Sequence, residues 1–429
     1  MLYDQEYEEY RDRLTKASED PSIRLALRRA IASYRENVNL TLARFPQTLT
    51  KRKDGRAIKE YSIAHMEELV KQARDSIIDV KGSSDIVQTP EQLLKRLDEL
   101  IGTDKWIVKS KSITSEEFEI NEHLEATGNK VTETDLGEFI LQNLHEKPMH
   151  LLTPSIHVPR ERVAEMLSKL VGRKLEPDIE LLVETARQLL REAYFKADIG
   201  MSGANVVTAD TGTVFLIENE GNARFVSNAP RTHIAVVGFE KVVPTLTDGM
   251  IVSELTWRYA SYKAPSYVSL ITGVSKTGDI EKMQTYGAHG PKNLHVIFVD
   301  NKRTELAKDP VYREALYCTK CGSCLYECPI FGVAAGKFGH KYFGGVGTIW
   351  TAFIAGGLEK ALPMAYSCTL CGRCKDHCPY EINTPAMIQK LRNELVGRKM
   401  TITALDEACK NIERTGNPYG LEAPIEIPE

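Results

Sequence analysis

The sequence predicts a chain of three parts. We expect an N-terminal helical region over residues 1–88, an α/β domain with a mainly parallel sheet over residues 89–305, and a helical, cysteine-rich module over residues 306–429. Three observations lead to this prediction. Apolar residues recur at helical spacing near the N-terminus, and short apolar segments then alternate with helical ones. All nine cysteines lie between Cys318 and Cys409.

The N-terminal region is predicted from two apolar stripes. The first precedes Pro46 and consists of residues three or four positions apart, namely Leu27, Ile31, Tyr34, Val38, Leu42 and Phe45. Such steps place side chains on one face of a helix, and a proline ends it. The basic segment KRKDGR (residues 51–56) then predicts a solvated turn rather than an anion-binding patch. A second stripe between Tyr61 and Ile77 predicts another helix.

The α/β prediction rests on the segments that follow residue 83. Thr89 and Pro90 have the form of an N-cap followed by proline at the first helical position. Predicted helices cover residues 90–100, 160–171 and 177–196. Predicted strands cover residues 106–108, 131–134, 150–152, 213–217, 233–237, 267–271 and 294–299. Strands that alternate with helices favour a parallel sheet.

Composition excludes several classes of function. The 429 residues include 55 Lys and Arg against 59 Asp and Glu, a net charge of −4, so no basic surface for nucleic acid is indicated. No segment has the roughly 18 consecutive apolar residues of a membrane-spanning helix. The first residues, MLYDQEYEEYRDR, do not resemble a signal peptide. We therefore expect a cytoplasmic protein that is not itself membrane-spanning. Nucleotide-binding glycine motifs are absent from the sequence.

The cysteine-rich module contains an internal duplication. CTKCGSCLYECP (residues 318–329) and CTLCGRCKDHCP (residues 368–379) share the spacing C-x2-C-x2-C-x3-C-P. This is the bacterial [4Fe–4S] pattern, in which the fourth cysteine of each run binds the other cluster of a two-cluster protein. The predicted ligands of cluster one are Cys318, Cys321, Cys324 and Cys378. Those of cluster two are Cys368, Cys371, Cys374 and Cys328.

Zinc is the alternative occupant, because it takes four thiolates from two separated C-x2-C pairs. Each block here has a third close cysteine and a fourth followed by proline, which favours two [4Fe–4S] clusters. Two clusters in one module favour electron relay, and eight ligating cysteines leave no iron position open for a substrate. The ninth, Cys409, shares a predicted helical face with Leu405 and Ile412, so we expect a buried core thiol.

The α/β domain has three candidate catalytic residues and no established one. Ligands of open α/β sheets bind beyond the carboxyl ends of the strands. Lys109 and Lys111 follow one predicted strand, and they are either surface lysines or ligands for a carboxylate or phosphate. Glu218 ends another predicted strand, and it is either a nucleophile or base, or more simply a capping or solvated group. Polar clusters at residues 132–135 and 218–222 also lie at the ends of predicted strands, where a ligand site is expected.

With these residues in hand, the chain resembles the LUD-domain iron–sulfur proteins of the lactate utilisation protein B family. The resemblance covers residues 105–396 and both cysteine blocks. It is carried by VKSKSITSEE, ETDLGEFI, SGANVVTADTGTVFLIENEGNARFV, THIAVVGFEKVVPTL and LHVIFVDN. An ordered set of this kind is more specific than any single motif.

The resemblance implies a LUD domain with a fold like that of sugar-phosphate isomerases and CoA transferases. It implies a role in oxidising L-lactate to pyruvate, together with a cysteine-rich CCG-domain subunit and a second LUD protein or a flavin dehydrogenase. By the same resemblance the eight block cysteines are cluster ligands. The segment ERTGNPYG (residues 413–420) is similar to the junction that precedes CCG domains in heterodisulfide-reductase-like proteins. We therefore expect a separate CCG subunit to dock on this C-terminal tail.

The resulting prediction is an electron-transfer subunit of a lactate-oxidising complex that relays electrons through two [4Fe–4S] clusters. Two alternatives stay open at this point. The relay could serve a heterodisulfide-reductase-like or other 2-hydroxy-acid complex, since the CCG-like junction fits those as well. Alternatively, the LUD domain has an isomerase- or transferase-like activity of its own, carried by Lys109, Lys111 and Glu218.

Overall fold

The main sheet is parallel, as the sequence predicts. The structure is a computed structural model and describes residues 3–421. Within that range the strands are β1 Ser83–Val87, β2 Trp106–Lys109, β3 Lys130–Glu133, β4 Ile199–Ser202, β5 Val206–Thr208, β6 Val214–Glu218, β7 Thr232–Gly238, β8 Val242–Val243, β9 Tyr267–Ile271, β10 Lys276–Thr277, β11 Thr285–Tyr286 and β12 Asn293–Val299.

Six of the described strands form the main sheet in the order β1-β12-β7-β4-β2-β3, and every neighbouring pair is parallel. Met201 of β4 is paired with Lys109 on one side and Ile234 on the other. Parallel pairing puts the carboxyl ends of these strands along one edge, where α/β proteins bind ligands. A smaller sheet, in the order β8-β5-β6-β9, lies beside it.

Helices cover the sheets and form the N-terminal region. The N-terminal helices are α1 Asp4–Glu19, α2 Pro21–Arg44, α3 Gln47–Ala64 and α4 Met66–Asp79. Those of the α/β domain are α5 Pro90–Ile101, α6 Ile113–Glu117, α7 Ile120–Ala126, α8 Leu136–Leu144, α9 Arg160–Val171, α10 Ile179–Lys196, α11 Asn222–Asn228 and α12 Leu246–Tyr259. The side chain of Asp20 caps α2, and Thr89 caps α5.

The cysteine-rich module consists of short helices joined by tight turns. They are α13 Arg303–Ala307, α14 Ser323–Glu327, α15 Phe331–Ala334, α16 Gly344–Trp350, α17 Leu358–Ser367, α18 Arg373–Asp376, α19 Thr384–Gly397 and α20 Thr403–Thr415. The N-terminal helices pack on this module. Tyr34 of α2 stacks on Tyr326 with ring centroids 4.2 Å apart, and its hydroxyl donates to Ser323 Oγ at 2.6 Å.

A buried ionic network joins the α/β domain to the module. The guanidinium of Arg303, just after β12, bonds Glu117 Oε1 at 2.6 Å and Glu240 Oε2 at 2.5 Å. Tyr342 of the module donates its hydroxyl to the same Glu117 carboxylate. The side chains of the three charged residues are at most 1% exposed. Buried charges persist only when paired in this way, because each has lost its hydration.

The basic segment 51–56 is not a turn, so that prediction was wrong. It forms the middle of α3, where Arg52 donates to the carbonyl oxygen of Cys378 at 2.8 Å. Arg56 donates to the carbonyl oxygen of Tyr380 at 2.8 Å and pairs with Glu314 at 2.7 Å. Lysine and arginine are good helix formers, and these tertiary contacts fix the helix against the second cysteine block.

The predicted strand at residues 150–152 is also wrong. The chain turns there, because His150 Nδ1 accepts the backbone N–H groups of Leu152 at 3.0 Å and Thr153 at 3.2 Å. Six strands were not predicted, namely β1, β4, β5, β8, β10 and β11. In β4 the reason is Gly200, a weak strand former. A Cβ atom at Gly200 would lie 1.8 Å from the carbonyl oxygen of Val226, so glycine is needed where α11 crosses the strand.

The predicted boundaries at residues 89 and 306 stay predictions, although β1 (Ser83–Val87) shows that the main sheet begins before the first of them. The predicted docking tail reaches residue 429, and residues 422–429 lie outside the described residues. Between residues 3 and 421, no helix has both the length and the apolar character required to cross a membrane.

We expect Arg303→Met to lower the free energy of unfolding by about 3–5 kcal/mol, because it removes the cation that bonds both buried carboxylates. Urea unfolding of the chain, followed by circular dichroism, measures this change. The control is Arg96→Met, which removes a pair with Asp85 whose side chains are 32% and 34% exposed. That change should cost at most about 1 kcal/mol. Equal losses in the two variants would contradict a structural role of the buried network.

Candidate iron–sulfur centres and the adjoining cavity

The two cysteine blocks fold alike. In each block, the residue before the second cysteine and the glycine after it have positive φ: 63° and 76° for Lys320 and Gly322, and 54° and 80° for Leu370 and Gly372. A short helix then begins, α14 or α18. Left-handed backbone at a non-glycine residue is unfavourable and is held by its surroundings. These turns bring the three close cysteines of each block around a common centre.

The thiols surround two neighbouring cavities. One is lined by Cys318, Cys321, Cys324 and Cys378, together with Cys374. The other is lined by Cys328, Cys368, Cys371 and Cys374, together with Cys324. Each cavity is thus bordered by the four cysteines predicted for one cluster, and the two cavities share Cys324 and Cys374. The assignment of each thiol to a cluster stays a prediction.

The chemistry of these thiols fits iron–sulfur ligation. Burial raises the pKa of Cys328 to about 11 and that of Cys378 to about 12, so an adjacent positive charge such as iron is needed to form the thiolates. Backbone N–H groups are already aimed at the sulfurs: Tyr380 donates to Cys378 Sγ at 3.4 Å, and Phe331 and Ile330 donate to Cys328. Such donors tune iron–sulfur centres.

Zinc fits this arrangement less well. A zinc ion draws four ligands to one point at about 2.0–2.3 Å. In the described part of the chain, no three His, Cys, Asp or Glu side chains converge closely enough to hold a single metal ion. The thiols stand around cavities instead, as ligands of a cluster do.

The two cavities differ in their surroundings. The first lies under the α/β domain, where the ammonium of Lys320 is 3.4 Å from the ring centroid of Trp350 and 3.6 Å from Glu240 Oε1. The second has Leu370 in the position equivalent to Lys320 and reaches the surface at Cys371, which is exposed. One centre is therefore internal and beside a buried cation, and the other is peripheral.

Cys409 is exposed, so the prediction of a buried core thiol was wrong. It lies on α20, a helix that has no buried residue, and Ile412 on the same face is 49% exposed. The spacing correctly gives an amphipathic helix. Spacing alone does not show that a neighbour covers the apolar face.

The three candidate residues of the α/β domain have different environments. Lys109 is fully buried, and its ammonium bonds Glu133 Oε1 at 2.5 Å and Glu116 Oε1 at 3.1 Å. Although burial opposes it, these carboxylates hold the pKa of Lys109 above its usual range. Lys109 therefore has a structural role in the core. Lys111 and Glu218 line a separate cavity.

That cavity has a volume of about 260 Å³ and lies at the carboxyl edge of the main sheet. Its wall combines strand-end residues of the α/β domain with the first cysteine block. The residues that matter below are Lys111, Asp135, Glu218, Glu220, Lys241, Lys320 and Cys321. Leu151, Thr319, Lys320 and Cys321 also line the first thiol cavity, so the two spaces share a wall.

Sequence reasoning marked part of this wall and missed the rest. The polar clusters at strand ends contribute Lys111, Asp135, Glu218 and Glu220. Lys241 was missed, although it follows the end of β7 and the same strand-end rule would have found it. Lys320 lies inside a cysteine block, so only the tertiary structure shows that it faces the α/β domain.

The polar side chains of the cavity wall differ in how many hydrogen bonds they make. Glu218 accepts the backbone N–H groups of Ala223 and Arg224, both at 2.7 Å, so both of its oxygens are in use. The ammonium of Lys111 has no hydrogen-bond partner within residues 3–421 and lies 3.6 Å from Glu138 Oε1. Burial, reinforced by the negative charge of Asp135, raises the pKa of Glu220 to about 7.

Comparison with known proteins identifies the family of this chain. The model of the LUD domain matches residues 68–299, and that of the 4Fe-4S dicluster domain matches residues 314–382. Lactate utilization protein B of Bacillus velezensis is 31% identical over 87% of this chain and 78% of its own length. The protein of the same name from Bacillus subtilis is 31% identical over 80% of this chain and 70% of its own length.

A crystal structure of a DUF162 family protein from Deinococcus radiodurans aligns with 55% of this chain and 98% of its own, at 17% identity and a TM-score of 0.31. The family assignment rests on the domain matches and the long relatives. They agree with the parallel sheet and with the paired thiol-lined cavities. The chain therefore belongs to the lactate utilization protein B family, with a LUD domain followed by a 4Fe-4S dicluster domain.

Proposed function

We propose that this chain is the iron–sulfur electron-transfer subunit of a complex that oxidises L-lactate to pyruvate. The observation that carries the proposal is the pair of adjacent cavities, each bordered by four cysteines of the duplicated motif. Bound [4Fe–4S] clusters supply one-electron transfer, and two clusters accept the two electrons that the oxidation of one lactate releases. The names of the relatives support lactate as the substrate of the pathway.

The proposed ligands of cluster one are Cys318, Cys321, Cys324 and Cys378, and those of cluster two are Cys328, Cys368, Cys371 and Cys374. Each set lines one cavity, and the fourth member comes from the other block. With all eight thiols used, no iron position stays open for substrate, so the proposed role of the cysteine-rich module is conduction.

The protein residues around the clusters have defined tasks in this proposal. Backbone N–H groups stabilise the thiolates, and the buried ammonium of Lys320 lies beside the inner centre. The outer centre meets the surface at Cys371, which is flanked by Arg373 and Lys375 on α18. We propose that a partner subunit with an acidic patch exchanges electrons there, because opposite charges orient such encounters.

The proposed partners are a CCG-domain cysteine-rich subunit and a second LUD protein or a flavin dehydrogenase, in the cytoplasm. A heterodisulfide-reductase-like complex would use the same relay with a different electron donor. An isomerase- or transferase-like activity is less well supported. Of its three candidate residues, Lys109 is held in a buried ion pair and Glu218 has both oxygens occupied by backbone N–H groups.

The direct test uses the chain isolated anaerobically with its co-purifying partners. L-Lactate should bleach the visible iron–sulfur absorption of the complex and leave that of the lone chain unchanged. Absence of bleaching by lactate, in a sample that dithionite still reduces, would contradict the lactate-oxidising role while leaving the clusters in place.

We expect Cys371→Ala to lower the iron content of the reconstituted chain from about eight to about four atoms and to abolish lactate oxidation by the complex. Iron and sulfide analysis and the rate of pyruvate formation measure the two effects. The matched control is Cys409→Ala, because Cys371 and Cys409 are the exposed cysteines of the described chain. Iron loss in both variants, or in neither, would contradict the assignment.

The proposal that the fourth cysteine of each block binds the cluster of the other block gives a separate prediction. Cys318→Ser and Cys378→Ser should alter the same electron paramagnetic resonance signal of the reduced chain, because both residues line the inner cavity. Cys328→Ser should alter the other signal. A common effect of Cys318→Ser and Cys328→Ser would show instead that each block holds its own cluster.

A further inference from the structure

The proposed electron relay gives no role to the cavity at the carboxyl edge of the sheet, which is larger than either thiol-lined cavity. Its volume is about 260 Å³, and Cys321 forms part of its wall. Strand-end loops of the α/β domain form the opposite wall. A ligand in this space would therefore lie between the LUD domain and the inner cluster.

Lys241 is one of three lysines that border the cavity, with Lys111 and Lys320. Lys241 is 8% exposed and lines the cavity, and its charge acts on the buried carboxylate of Glu240. Within residues 3–421 its ammonium forms no hydrogen bond or salt bridge. Its neighbour Glu240 is already bonded to Arg303 at 2.5 Å. A buried ammonium costs free energy unless an anion accompanies it. Lys241 thus provides the site for an anionic group.

The LUD wall carries hydrogen-bond acceptors. Glu220 uses one oxygen to accept the backbone N–H of Leu136 at 3.2 Å. Glu220 and the nearby Asp135 both line the cavity. Carboxylate oxygens accept hydrogen bonds from hydroxyl groups. This wall suits a hydroxyl-bearing ligand.

The distribution of charge narrows the ligand class. Three carboxyl groups, those of Asp135, Glu218 and Glu220, and three ammonium groups, those of Lys111, Lys241 and Lys320, border the cavity, so an anion of low charge fits its balanced charges better than a phosphate dianion does. A monoanion that also carries a hydroxyl group satisfies both walls.

We propose that this cavity binds a small hydroxycarboxylate, with its carboxylate at Lys241 and its hydroxyl group toward Glu220, next to the inner cluster ligand Cys321. This inference rests on the proposed function for the choice of acid, and it deepens that function by placing the acid on this chain rather than only on a partner. The cavity and its charges are observed independently of the relay.

The test measures binding to the anaerobically reconstituted full chain by calorimetry, with L-lactate, propionate and inorganic phosphate as probes. L-Lactate should bind at least about tenfold more tightly than propionate, which lacks the hydroxyl group. L-Lactate should also perturb the paramagnetic signal that Cys318→Ser alters, because the acid lies beside Cys321. Phosphate should not compete.

Two variants test separately the proposed contacts of the carboxylate and of the hydroxyl group of the ligand. Lys241→Met should weaken binding of both L-lactate and propionate by about tenfold or more, because each loses its cation. Glu220→Ala should weaken only L-lactate. The control Lys169→Met changes a lysine whose side chain is 75% exposed on α9, and it should leave both affinities unchanged. Glu220→Ala keeps the test valid if Lys241→Met fails to fold.

Failure of this proposal is distinguishable from failure of the relay. A chain that holds about eight iron atoms, and whose complex is bleached by L-lactate, would support the relay. If that chain bound no hydroxycarboxylate, or bound propionate and L-lactate equally, the cavity proposal would be overturned. Competition by phosphate would also overturn it, in favour of a phosphorylated ligand.

Discussion

The guanidinium of Arg303 connects three segments that are distant in sequence, and the position of the cysteine-rich module depends on it. Glu117 follows the loop after β2, Glu240 follows β7, and Tyr342 belongs to the module. None of these polar groups tolerates burial without the others, because each would lose hydration without compensation. Since all are required together, the network fixes where the carboxyl edge of the sheet meets the first cysteine block. The ligand cavity and the inner centre form at that junction.

The same junction explains why two unrelated folds are joined in one chain. A parallel sheet offers a ligand site at its carboxyl edge, and in the proposed function the two-cluster module carries electrons and has no iron position free for substrate. Placing Cys321 in the wall of the LUD cavity brings the two capabilities into contact. The duplicated module also gives the inner centre a neighbour that reaches the surface at Cys371.

Features set by local sequence could be predicted, and features set by tertiary contact could not. The parallel sheet follows from alternation, and the cysteine blocks follow from spacing, since both patterns are short-range. The segment 51–56 has a loop-like composition but becomes helical because Arg52 and Arg56 bond carbonyl oxygens of the second block. Cys409 has core-like spacing, but only the Leu405 end of that helix face packs against the core, and α20 has no buried residue. At the candidate site, strand ends indicated Lys111 and Glu218, while Lys320 faces the α/β domain only because the module folds back onto it.

The residue just before the second cysteine differs between the two halves of the duplication. It is Lys320 at the inner centre and Leu370 at the outer one, with the same left-handed backbone. A fixed positive charge favours the more negative state of its neighbour. Lys320, whose ammonium lies 3.6 Å from Glu240 Oε1, therefore gives the inner cavity a charged neighbour that Leu370 does not give the outer one. A duplicated, nearly symmetric motif thus becomes chemically asymmetric through a single side chain.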